Sequence, residues 1–130
     1  MPFTKHAQKI VTLLEENKGN VGKEIDSILI DLNDVDAMLS IGYATHYAEQ
    51  ESQDLLMSLI DKNATDRTPA QEIAHTARKA SKCGMEDQLN RVIKSDFSQL
   101  TKIRIAFWSV YLSDKDQQSF ILRQLELFHK

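Results

Sequence analysis

Any chemistry in this chain must come from a short list of side chains: four His, one Cys and 19 Asp or Glu. Glu72-Ile73-Ala74-His75 has the Glu-x-x-His spacing by which one helix offers two ligands to a paired-metal centre in a helical bundle. Such centres take a second Glu-x-x-His and further carboxylates from facing helices, and the sequence has no second one. With Ile73 at zero on a helical wheel, the apolar face of this segment centres near ~30° and His75 falls near ~200°, toward solvent. His46 and Glu49 share a helix face, but His46 lies roughly 150° from that helix's main apolar stripe. His6 and His129 stand apart from any evident orienting partner for general-base work.

The remaining motifs are excluded on chemistry. No serine sits in a Gly-x-Ser-x-Gly elbow, and no glycine-rich phosphate loop is present. Asp31-Leu32-Asn33-Asp34-Val35-Asp36 is acidic enough for calcium, yet a calcium loop wants oxygen ligands at positions 1, 3 and 5 and Gly at 6. Starting from Asp31 the fifth position is Val35, and from Asp34 it is Met38. The run reads as a helix cap with acidic first-turn residues. Cys83, the lone cysteine, can form neither an internal disulfide nor a thiolate cluster. The expectation is no catalytic residue, no metal and no cofactor.

Two binding chemistries remain. Arg78, Lys79, Lys82, Arg91 and Lys94 cluster in residues 70–94, which have the outline of a helix-turn-helix and carry the nucleic-acid reading. Against it, Glu86 and Asp87 open the helix that would read the groove, and the chain is acidic, with net charge −3. The charge is uneven: residues 1–63 hold 5 basic and 11 acidic side chains, residues 64–130 hold 11 and 8. Protein–protein contact is the favoured reading. Ile105, Trp108 and Leu112 form a second apolar stripe on their helix, and Tyr43 and Tyr47 form another. Trp and Tyr are enriched at interaction hot spots, although the core competes for both stripes.

These residues need helices to hold them. At 42% hydrophobic and 27% charged, 130 residues make one globular domain that buries its own core without disulfides. Four Gly and two Pro are too few for the turns of an all-β fold. Ala7, Ile10, Val11 and Leu14 recur at helical spacing before Gly19-Asn20, and Ile25, Ile28, Leu29 and Leu32 follow in a second helix. Asp34 starts a third that continues to Lys62 and, apolar on two sides near its start, is either central there or bends near Gly42 to change partners. Thr68-Pro69-Ala70-Gln71 reads as a capping box after a loop over 63–67; the helix it opens runs to Cys83 and stops at Gly84. Three further helices hold Met85 to Ile93, Phe97 to Leu112, and Phe120 to Phe128. No internal repeat is legible.

The expected fold is therefore all-α: one compact bundle of six or seven helices over 1–130, with helices 34–62 and 97–112 central. No apolar run is long enough for a signal peptide or membrane span, so a cytoplasmic chain with no membrane contact is expected. The expected function is a non-catalytic protein-interaction module: an adaptor, small regulator, secretion chaperone or toxin-neutralising partner, with a protein or a second copy as partner. A DNA-binding regulator is the alternative, and a metal- or small-molecule-binding bundle the second.

Overall fold

The computed structural model describes residues 2–60 and 67–129. These form eight helices and, among the described residues, no strand: α1 (Pro2–Glu16), α2 (Val21–Leu29), α3 (Asp34–Tyr47), α4 (Gln50–Ile60), α5 (Arg67–Arg78), α6 (Lys82–Ile93), α7 (Gln99–Tyr111) and α8 (Lys115–Glu126). The fold is all-α, with eight helices where six or seven were expected.

The extra helix comes from the expected span 34–62, which is two helices. Ala48 turns extended (φ −71°, ψ 146°). Gln53, in α4, reaches back so that its Nε2 donates to the carbonyls of Thr45 at 2.7 Å and Ala48 at 3.2 Å. Those oxygens end α3 and would otherwise lack partners. Ala44, Ala48 and Ser52 are buried on both sides of the break, so the apolar stripe runs on and hides it. Gly42 lies inside α3, where an added Cβ would come within 2.6 Å of Leu122 Cδ2. The expected end at Lys62 and the loop over 63–66 lie outside the described residues.

Three other boundaries move. Helix α5 already includes Arg67, so Thr68 is not its N-cap; Pro69 is tolerated because amides of a first turn have no helical acceptor. It ends at Arg78, not at Cys83. Ala80 takes the left-handed conformation (φ +52°) that the reading gave to glycine, and Ser81 caps α6. Gly84 lies inside α6, where a Cβ would meet Ser81 Oγ at 2.9 Å and Thr76 Cγ2 at 3.1 Å. It allows close approach and does not stop a helix. Helix α7 starts at Gln99 under a Ser98 cap, which leaves Phe97 and Leu100 exposed.

Helices α3 and α7 pack against each other at the centre, as expected for the two segments that contain them. Lys102 to Val110 are all buried, as are Ala37 to Gly42. A helix with no polar face must be covered on every side, and these two are. Lys102 is buried with its charge matched: Nζ donates to Asp34 Oδ2 at 2.8 Å and to the carbonyl of Ile93 at 2.9 Å.

The backbone is built twice, although the sequence hides it. A shift of 65 residues carries α3–α4 onto α7–α8, including the N-caps Asn33 and Ser98 and the turns Ala48 and Ser113. Gln118 Nε2 donates to Val110 O at 2.8 Å and Ser113 O at 2.9 Å, the same bonds that Gln53 makes to Thr45 and Ala48. Likewise α1 turns into α2 through left-handed Gly19 and the cap Asn20, as α5 turns into α6 through Ala80 and Ser81. Contacts between the halves run both ways, α3 to α8 and α7 to α4. Reciprocity of this kind marks an approximate two-fold axis. Comparing 33–60 with 98–125, Gln53 and Gln118 are the sole identical pair.

Candidate functional site

Two equivalent corners meet at one end of the bundle: Tyr47-Ala48-Glu49, between α3 and α4, and Leu112-Ser113-Asp114, between α7 and α8. They are tied to each other reciprocally. Lys115 Nζ donates to the carbonyl of His46, and Gln50 Nε2 donates to Tyr111 Oη at 3.2 Å. Gln50 and Lys115 are equivalent positions, as are His46 and Tyr111.

Tyr47 is 49% exposed and Leu112 36% exposed. They too are equivalent, so each half presents one apolar side chain from the same place. Tyr47 is held from beneath. Its ring stacks on Tyr43, with centroids 5.7 Å apart, and tilts against His46 at 5.4 Å. Tyr43 stacks on Phe3 at 5.6 Å and donates its hydroxyl to the Glu126 carboxylate. Burial, reinforced by that bond to Glu126, pushes the Tyr43 phenol well above its ordinary range. Its ring backs Tyr47 from beneath.

His46 is also fixed. The Gln118 amide nitrogen faces two carbonyls, so its oxygen must face His46 Nδ1, 2.7 Å away. An amide oxygen accepts only, which puts a proton on Nδ1. Farther along, His129 Nδ1 lies 2.6 Å from Asp36 Oδ1, and its ring packs edge-on to Phe3. The aromatic row His129, Phe3, Tyr43, Tyr47 thus runs along α3 and ends at the exposed corner.

The other proposed partner-binding residues lie elsewhere. Ile105 is fully buried and Trp108 is 4% exposed. Trp108 is the equivalent of Tyr43 in the second half. It packs edge-on to Phe107 and Tyr111 and lies under the Arg67 guanidinium, 4.2 Å from its ring centroid. Of the two apolar stripes, then, only Tyr47 and Leu112 reach the surface in full, while Tyr43 is half-buried.

The basic residues do surround a helix–turn–helix. Arg78, Lys79 and Lys82 are exposed where α5 turns into α6, and Lys94 is exposed at the far end of α6. Arg91 is tied to Asp87 at 2.7 Å. Exposed Glu86 and Asp87 share the face on which a groove would be read. His75 is exposed, and among the described residues no three His, Cys, Asp or Glu side chains converge as metal ligands. No helix among them is long and apolar enough to cross a membrane.

Sequence reasoning selected Tyr47 and Leu112 but missed that they belong together. The signal was Gln53 and Gln118, five residues after Ala48 and Ser113, and a lone shared residue is too weak to find. Known protein families, curated proteins and solved structures yield no match to this chain.

Proposed function

We propose that this protein is a non-catalytic interaction module of the adaptor or small-regulator type, acting in the cytoplasm, and that it holds a protein partner at the paired corners. One observation carries this reading: Tyr47 is half-exposed yet rigidly backed by Tyr43 and His46. An exposed aromatic with little rotamer freedom left to lose is the kind of residue that dominates binding energy.

The test is capture of a partner by the full chain from extract of its own host. Tyr47→Ala is expected to weaken that capture about tenfold or more while costing only ~1–2 kcal/mol of unfolding free energy, from its ring contacts with Tyr43 and His46. Phe97→Ala, at an exposed apolar residue elsewhere, leaves it unchanged. Trp108→Ala costs ~3–5 kcal/mol of stability, so binding lost there reports a damaged core. Capture that survives Tyr47→Ala at full strength removes the corners from the interface.

A second reading rests on the three exposed bases around the turn at Ala80. It predicts affinity for random DNA duplex at low salt that falls steeply as salt rises and is lost on Arg78→Ala with Lys82→Ala.

A further inference from the structure

The paired corners have a chemistry of their own beyond the two apolar side chains. Glu49 follows Tyr47 by two residues and Glu51 and Asp54 lie in the first turns of α4, Asp114 and Asp116 follow Leu112 on the second corner, and all five are exposed. Asp114 caps α8 and Asp54 accepts from Gln50 at 2.8 Å, so these two have local work. Glu49, Glu51 and Asp116 make no ion pair among the described residues. Lys115, at the start of α8, turns its ammonium back onto the carbonyl of His46. Beside the first corner a cleft of about 500 Å³, lined by Leu14, Glu15, Glu49, Glu51 and Leu55 among others, opens between the end of α1 and the start of α4.

We infer that the occupant of this end is a cationic segment of a partner protein, laid across the axis between Tyr47 and Leu112. This rests on the interaction reading above and adds the chemistry of the partner. The acidic rim alone would be ordinary for two helix N-termini. Its meaning comes from the exposed apolar pair on the same corners, because a surface with exposed anchors and unbalanced charge selects its partner by charge. A second copy is disfavoured on the same ground. Two copies meeting end to end would place Glu49, Glu51, Asp114 and Asp116 against their own kind. A segment alternating basic and apolar side chains satisfies both features: apolar groups cover Leu112 and the Tyr47 edge, while a guanidinium lies over the open part of the Tyr47 ring or enters the cleft beside Glu49 and Glu51.

The experiment uses the full chain and a short labelled peptide alternating arginine with leucine, followed by fluorescence anisotropy and by amide shifts. Expected are binding that weakens with salt, shifts centred on residues 46–54 and 111–118, and a loss of about tenfold for both Tyr47→Ala and the pair Glu49→Gln with Glu51→Gln. Glu24→Gln with Asp26→Asn removes the same charge from α2 and leaves affinity unchanged. A version of the peptide with glutamate for arginine does not bind. Equal binding of the glutamate peptide, equal losses for the α2 pair and the corner pair, or shifts centred on α5–α6 would each overturn the proposal. Concentration-dependent dimerisation abolished by Tyr47→Ala would also overturn it, in favour of a second copy. Should native capture depend on Tyr47 but not on Glu49 and Glu51, the surface stands and the cationic occupant falls.

Discussion

Gln118 shows how much one buried amide can organise. Its nitrogen closes the two carbonyls that end α7, and its oxygen holds His46. Replacing it by Leu keeps much of the volume but leaves the Ser113 carbonyl and the His46 Nδ1–H without partners, while Val110 O keeps only the amide of Ser113. Water has little access to a side chain so buried. The expected loss is about 2–4 kcal/mol, read from denaturant unfolding at constant m-value. Tyr43 makes a prediction of a different kind. Its folded phenol titrates above the ordinary value of 10.0, because burial and the Glu126 carboxylate both oppose the anion. The folded state therefore holds its proton where the unfolded chain has lost it, and stability falls as pH rises past that ordinary value. Below it this contribution is fully present. Tyr43→Phe should flatten the alkaline limb of the stability profile; an unchanged limb would mean that Tyr43 is not its source.

At the scale of elements, glycine placement separates close packing from helix ending. Gly42 gives Leu122 of α8 room against α3, and a Cβ there would sit 2.6 Å from Leu122 Cδ2, so the buried Leu122 side chain would have to shift. Gly22 lies in α2, where a Cβ would meet Leu59 Cδ2 at 3.3 Å, and Leu59 is only partly buried. Substitution to Ala gains about 1 kcal/mol in helix propensity at the interior position 42, and only part of that in the first turn of α2 at position 22. At position 22 that gain survives; at position 42 overpacking of ~1–3 kcal/mol cancels or exceeds it. Thermal unfolding of the two variants should accordingly shift in opposite directions or differ clearly in size. The same distinction explains what the sequence concealed. Helical periodicity located the helical segments, because amphipathic spacing is a local property. It failed where a side chain from the next helix replaced a glycine or an N-cap as the terminator: Gln53 at Ala48. It also failed where a non-glycine residue, Ala80, accepted a positive φ.

For the whole molecule, the centre was legible and the plan was not. Runs with no polar face marked α3 and α7 as central, since nothing else would cover them. The duplication stayed hidden because equivalent positions carry unlike side chains: Ala37 against Lys102, Gly42 against Phe107, Tyr43 against Trp108. Each half repacks the same backbone with its own volumes, and packing constrains total volume and patterning more than identity. Of the residues singled out for binding, Trp108 and Ile105 are core and Tyr47 and Leu112 are surface, a distinction that depends on which neighbours α4 and α8 bring. No single helix encodes that.

The reciprocal crossing of α3 and α7 also bears on the order of events when the chain folds. Within each half, α1 meets α3 and α5 meets α7 over short separations, so those contacts close small loops and form at modest entropic cost. The pairing of α3 with α7 joins segments 65 residues apart and cannot be shared out among local steps. The apolar faces that α3 and α7 turn to each other are covered only when that long-range pairing closes, and its loop-closure cost exceeds that of the contacts within each half.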